Sequence, residues 1–205
     1  MRWVLASGNA GKAQEFVRLF RGASTAWSSL DVVLQSSLGV EPIDEPFETF
    51  VENGLRKARH AAKVTGLPAL ADDSGLVVDA LGGAPGVQSA RYLKAHGCQG
   101  LLDELRRREA SRRTAHFVCC LVLVRHDHDP DPVIAVGRWH GQVADAARGE
   151  QGFGYDPVFL DTELGLTAAE MTAEQKDARS HRAKAFAQLM DQLRSDDAVA
   201  LRTGV

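Results

Sequence analysis

No stretch of this chain approaches the ~20 consecutive apolar residues that cross a bilayer. The first apolar segment, Arg2–Ala6, begins almost at Met1, so a secretory signal is not expected. Cysteine is scarce. Cys98, Cys119 and Cys120 are an odd number without metal-ligand spacing, which argues against a thiolate metal centre and suits a reducing cytoplasm. Excess positive charge is also missing, with 24 Lys and Arg against 27 Asp and Glu and a formal net charge of −3. Such a balance draws in neither nucleic acid nor an anionic membrane, so neither is expected as a partner. An anionic ligand must be met by local lysines and arginines. Repeats, low-complexity tracts and linkers are absent too, and residues 1–205 read as a single domain.

What is present is an ordered alternation of elements. Arg2–Ala6 predicts a strand, residues 7–11 a turn, and Lys12–Arg21 a helix whose apolar positions are Ala13, Phe16, Val17 and Phe20, with Gly22 as its stop. Thr49 followed by Glu52 is a capping-box signature for a second helix that should bury Val51, Leu55, Ala58 and Ala62 and end near Gly66. Leu67–Ala71 reads as a buried strand, Leu101, Leu102 and Leu105 mark a third helix, and Phe117–Val124 reads as a strand covered on both faces. Residues 126–132 form a polar turn before a return strand from Val133 to Trp139. His126 and His128 in that turn lack a third ligand nearby and are not assigned to a metal. A short strand at Val158–Leu160 and a last helix after Ser180, burying Ala183, Phe186, Ala187 and Met190, complete the pattern. Helices alternating with strands around a central hairpin predict a three-layer α/β fold with a mixed β-sheet flanked by helices.

The chemistry concentrates at Ala71-Asp72-Asp73-Ser74-Gly75. Neighbouring side chains on a strand point to opposite faces, so the two carboxylates share a site only if the strand ends and the chain turns at Ser74-Gly75. Carboxylates at such a strand end suit a hard divalent cation bound together with substrate phosphates. Ser7-Gly8-Asn9-Ala10-Gly11-Lys12 is a strand–turn–helix junction of the kind that binds phosphate. It is not a P-loop, because Ala6 stands where the first glycine belongs and Ala13 where Ser or Thr should follow the lysine.

These two segments, with Thr49-Phe50-Val51-Glu52-Asn53, Lys57-Ala58, Gly83-Ala84-Pro85-Gly86, Ser89-Ala90-Arg91-Tyr92, Gly152-Phe153-Gly154-Tyr155-Asp156-Pro157 and Ser180-His181-Arg182, stand in one order. That order resembles the inosine/xanthosine triphosphate pyrophosphatases, also called XTP/dITP diphosphatases, over residues 2 to about 193. The resemblance implies an ITPase-like fold with an active site in a cleft between two lobes. It also implies hydrolysis of ITP, dITP and XTP to monophosphate and pyrophosphate, a requirement for Mg2+, and a homodimer. Residue by residue, Ser7, Gly8, Asn9, Ala10, Gly11 and Lys12 would hold the triphosphate with help from Lys57. Asp73 would ligate magnesium and activate water, with Asp44 or Glu45 as a further metal carboxylate. Ser74 would contact substrate. Phe153, Gly154, Tyr155 and Asp156 would form the base loop, joined by Lys176, His181 and Arg182. Donors from these three would accept a purine 6-oxo group and reject an amino group.

Taken singly, several of these residues have plainer readings. Phe153 reads as core, His181 and Arg182 as a solvated first turn of a helix, and Asp44-Glu45 as an exposed acidic loop. The chain also departs from the family pattern. Ser7 replaces threonine, Asp44 replaces glutamate, Pro46-Phe47 replaces a more flexible segment, and Gly54 replaces alanine at about 1 kcal/mol of helix propensity. A Maf-type pyrophosphatase or a nucleotide-binding regulator without catalysis are the alternatives.

Overall fold

The computed structural model describes residues 2–22, 30–110 and 112–195. Their strands are β1 (Arg2–Ala6), β2 (Asp31–Leu34), β3 (Ala69–Val78), β4 (Thr114–Val124), β5 (Val133–Val143), β6 (Phe159–Asp161) and β7 (Leu166–Thr167). The helices are α1 (Ala10–Gly22), α2 (Phe50–Thr65), α3 (Ser89–Arg107), α4 (Ala173–Asp177) and α5 (His181–Ser195). The strands form one sheet in the order β2-β1-β3-β4-β5-β6-β7. Its β1 pairs parallel with β2 and β3, and β6 pairs antiparallel with β5 and β7, so the sheet is mixed.

The described residues gather into two compact units. One holds residues up to Asp73, Cys119–Gly137 and those from Ala183 onward; the other holds Ser74–Val118 and Arg138–Arg182. In the first, Leu5, Leu70, Cys119, Leu121 and Leu123 pack one sheet face against Phe16 of α1 and Phe186, Leu189 and Met190 of α5. On the opposite face, Val4, Ala6, Ala69, Ala71, Cys120 and Val122 pack against Ala58, Ala61 and Ala62 of α2. The two-residue alternation of buried side chains along β1, β3 and β4 is what makes this unit three-layered. In the second unit, Leu76, Val78, Phe117, Trp139 and Phe159 pack with Leu101, Leu102 and Leu105 of α3.

Local chemistry sets the helix ends. The Asn9 side chain accepts from the Lys12 N–H at 3.1 Å and its carbonyl accepts from Ala13 at 3.0 Å, so α1 opens at Ala10 rather than at the predicted Lys12. Thr49 caps α2 by accepting from the Glu52 N–H, and its hydroxyl donates to the Glu52 carboxylate at 2.6 Å.

The predicted end of β3 at Asp73 is corrected: the strand runs on through Ser74 and Gly75 to Val78. The register with β1 ends at Ala71, and the neighbouring β4 is the strand beside which β3 continues past the turn preference of Ser-Gly. The strand predicted at Val158–Leu160 lies at Phe159–Asp161, since Asp156–Val158 forms a 3-10 turn. Three predicted core positions are exposed: Val17 (46%), Val51 (37%) and Ala187. Helical period alone cannot say which edge of an apolar stripe meets the sheet, and these three stand at the edges. Strands β2 and β7 and helix α4 are too short to carry a readable period.

The turn after β4 is held by Asp129, which is 1% exposed. Its carboxylate accepts from the Arg125 N–H and Nε, both at 2.8 Å, from Arg125 Nη2 at 2.5 Å and from the Asp131 N–H at 3.0 Å. Burial by itself would raise its pKa, but the Arg125 side-chain and backbone bonds outweigh that and hold it well below the usual carboxylate range. A depressed folded pKa gives stability that is present above the unfolded value of about 3.9 and is lost as pH falls below it. Asp129→Ala should therefore cost about 1–3 kcal/mol at pH 7. In urea melts repeated at falling pH, that deficit should shrink below pH 4.

Candidate active site

Strand β3 delivers Asp72 and Asp73 in succession to opposite faces of the sheet. Asp72, 1% exposed, lies on the α1 side, where Lys12 Nζ meets its Oδ1 at 2.6 Å and Cys119 Sγ lies 3.5 Å from its Oδ2. Asp73, 5% exposed, lies on the α2 side, where Lys57 Nζ donates to its Oδ1 at 2.8 Å and to the Asp72 carbonyl at 3.0 Å. The same ammonium meets Glu45 Oε1 at 2.9 Å. Burial alone would lower the Lys57 pKa, but Asp73 and Glu45 outweigh it and hold the amine firmly protonated. Burial raises the Asp73 pKa above its ordinary value, against the opposing pull of Lys57. A partly desolvated carboxylate of this kind is a better proton acceptor than a solvated one.

Gly54 explains how Lys57 reaches so far in. A Cβ at Gly54 would stand 3.0 Å from Val122 Cγ2 and 3.9 Å from Asp73 Cβ. The glycine anticipated as a helix-propensity loss lets α2 lie close against β3 and β4.

The structure separates the two acidic candidates. Asp44 is exposed and its carbonyl accepts from Arg56 Nε at 2.9 Å, whereas Glu45 is half-buried and drawn to Lys57. Asp73 Oδ2 is buried and has no hydrogen-bond partner among the described residues. An open oxygen on a buried carboxylate, with Glu45 brought to the same lysine, is a donor set that fits a hard divalent cation. Among the described residues no three His, Cys, Asp or Glu side chains close around one point. A cation here would complete its shell from water and substrate oxygens, as magnesium does.

Ahead of α1, the Asn9 N–H donates to Ser7 Oγ at 3.3 Å, and a Cβ placed on Gly8 would meet nothing within 4 Å. Ala10 and Gly11 form the first turn of α1, where unpaired backbone N–H groups gather.

In the second unit, Asp156 organises the loop before β6. Its Oδ2 accepts from the Phe153 N–H at 2.7 Å and from Lys176 Nζ at 2.5 Å. Gly152 has a φ of 75°, and a Cβ there would stand 2.1 Å from that same oxygen, so only glycine fits. Lys176 Nζ lies 4.9 Å from the centre of the Phe153 ring, a cation–π contact on a half-buried aromatic. Tyr155 is core, its hydroxyl donating to the Ser89 carbonyl at 3.0 Å, and Gly154 accepts from Cys98 at 3.3 Å. His181 stacks on Phe117 with ring centres 4.7 Å apart. Arg182 is 1% exposed, with Nη2 3.3 Å from Ser74 Oγ. The solvated-turn reading of His181 and Arg182 does not hold.

The first unit thus holds lysines on buried carboxylates, and the second an arginine buried beside a hydroxyl, within an α/β fold. Comparison with known proteins gives the family. The Ham1 family model matches residues 3–192, and the chain belongs to that family. A dITP/XTP pyrophosphatase of Burkholderia pseudomallei is 53% identical over 200 residues, covering 94% of this chain and 93% of its own. One from Photorhabdus laumondii is 50% identical over 197 residues, covering 94% and 98%. The structure of a HAM1 protein from Coxiella burnetii superimposes with a TM-score of 0.86 at 43% identity, covering 95% of this chain and 99% of that one.

Sequence reasoning did not give Asp72 a place beside Lys12, or Asp156 the anchoring of its own loop. The side-by-side aspartates were the only available signal for the first. Asp156→Ala should free the Phe153 N–H and take a counter-charge from buried Lys176. We expect a loss of about 3–5 kcal/mol in urea melts, with faster hydrogen exchange at the Phe153 amide.

Proposed function

We propose that this protein is a magnesium-dependent nucleoside triphosphate pyrophosphatase that hydrolyses the deaminated purine nucleotides ITP, dITP and XTP to monophosphate and pyrophosphate. The observation that carries this reading is the Asp73 carboxylate, with one oxygen on Lys57 and the other buried without a hydrogen-bond partner among the described residues. The name dITP/XTP pyrophosphatase, borne by relatives at 50% identity and above, supports dITP and XTP among these substrates.

Lys12 and the turn from Ser7 to Gly11 bind the phosphate chain, with Asn9 and Gly8 bringing backbone close to the anion. Lys57 adds charge there while orienting Asp73. Asp73 and Glu45 would hold the magnesium ion, with Asp44 outside them. When bound, the ion supplies charge neutralisation on the phosphates. Asp73 takes a proton from the attacking water, which adds in line as the link between the α and β phosphates breaks. The negative charge that develops on pyrophosphate falls to Lys12 and Lys57.

The purine stacks on Phe153, whose ring Lys176 and Asp156 hold in place. Lys176, His181 and Arg182 present donors to the 6-oxo group, and Ser74, beside Arg182, contacts substrate. Adenine's amino group would leave those donors facing another donor. The family model spans both compact units, which supports one catalytic domain over the chain. Pool cleansing suits the cytoplasm, as does the lack of a disulfide at Cys98, Cys119 and Cys120. We assign a homodimer by resemblance to the family.

Purified protein mixed with ITP and Mg2+ should release pyrophosphate. Asp73→Asn should lower turnover by about 10²–10⁴-fold, the usual cost of losing a general base. Near-normal turnover in that folded variant would move the chemistry elsewhere. Arg182→Ala, checked for folding by its melting curve, should cut ITP hydrolysis heavily while leaving the slow ATP rate almost unchanged. Equal losses on both substrates would assign Arg182 to phosphate or to the fold.

A further inference from the structure

Residues 41–47, which carry Glu45, have no regular secondary structure and few buried side chains. Phe47 is itself exposed, so packing does not locate this segment. Helix α2 does, through side chains that grip its backbone. Asn53, 1% exposed, exchanges two hydrogen bonds with Phe47: the Phe47 N–H donates to its Oδ1, and its Nδ2 donates to the Phe47 carbonyl, each at 3.0 Å. Arg56 Nε donates to the Asp44 carbonyl at 2.9 Å, and His60 Nε2 lies 3.1 Å from the Glu41 carbonyl oxygen. Positions 53, 56 and 60 are spaced i, i+3, i+7 and therefore share one face of the helix. As α2 advances from 53 to 60 the strap runs back from 47 to 41. Lys57, on the same face, meets the Glu45 side chain at 2.9 Å.

Backbone contacts at 41, 44 and 47 flank position 45 on both sides. Asn53 is the buried member and the one that bonds both the donor and the acceptor of a single residue, as a neighbouring strand would. Such a contact defines the direction of the chain as well as its distance. A long glutamate on an otherwise unpacked segment would lose several rotamers on binding a cation, and fixing its backbone reduces that cost.

We propose that Asn53 is a positioning residue for the Glu45 carboxylate as a metal ligand, with Arg56 and His60 as the two further clamps of the same strap. This rests on the reading in which Glu45 and Asp73 hold the cation.

The test is a double-mutant cycle read by Mn2+ binding alone, with free Mn2+ followed by its EPR signal and no nucleotide present. Asn53→Ala should weaken Mn2+ binding about 10-fold, as loss of an outer-shell partner typically does. Glu45→Gln should weaken it at least as much. The double variant should then bind no more weakly than Glu45→Gln, because Asn53 acts only through that carboxylate. Wild-type affinity in Asn53→Ala, or losses that multiply in the double variant, would overturn the inference while leaving Glu45 as a ligand. Wild-type affinity in Glu45→Gln would instead remove Glu45 from the metal site, and the positioning role with it. If Asn53→Ala does not fold, Arg56→Ala, exposed on the helix, enters the same cycle and is judged by the same two outcomes.

Discussion

Two carboxylates adjacent in a buried strand cannot share a counter-ion from one side. Asp72 and Asp73 face opposite surfaces of β3, and an uncompensated buried charge costs several kcal/mol. Each therefore needs its own cation from the helix layer it faces, and Lys12 of α1 and Lys57 of α2 supply them. That requirement bears on how near the two helices lie, and α2 comes in so closely that Gly54 has no room for a Cβ without displacing Val122. The lysines a phosphate chain would meet are thereby held in place before any ligand arrives. That arrangement lowers the cost of ordering them on binding.

The two aspartates are not equivalent. Asp72 has Lys12 on one oxygen and Cys119 near the other. Asp73 spends one oxygen on Lys57, and the other is buried without a hydrogen-bond partner among the described residues. Burial raises its pKa, with Lys57 opposing that rise, which makes it a better proton acceptor than a solvated carboxylate. The same economy recurs around Asp156, where one carboxylate oxygen joins a loop amide to a buried lysine, and that lysine then rests on the Phe153 ring. In both places a carboxylate orients cations as well as neutralising them.

Much of this was legible in the chain itself. The apolar run of β4, the cap of α2 at Thr49, the left-handed Gly66 and the buried thiols of Cys119 and Cys120 follow from local pattern and chemistry. So does the α/β class, and the ordered motifs carry the family. Less legible were elements set by neighbours. The strand β3 passes through Ser74-Gly75 alongside β4, beyond the end of its pairing with β1 at Ala71, and Val17, Val51 and Ala187 stay exposed because only the packed sheet says where an apolar stripe ends.

The sequence by itself determined which groups are available: two aspartates in succession, two lysines on separate helices, an acidic loop, and a glycine-bounded aromatic beside an aspartate. Local rules act over a few residues, and these features lie within such spans. Only the tertiary structure decided the pairings. It matched Lys12 to Asp72 and Lys57 to Asp73, brought Glu45 to Lys57 as well, and buried Arg182 beside Ser74. Those partners are separated by 12 to 108 residues along the chain. Which charges meet across such distances depends on how sheet and helices stack, and short-range spacing carries no record of it.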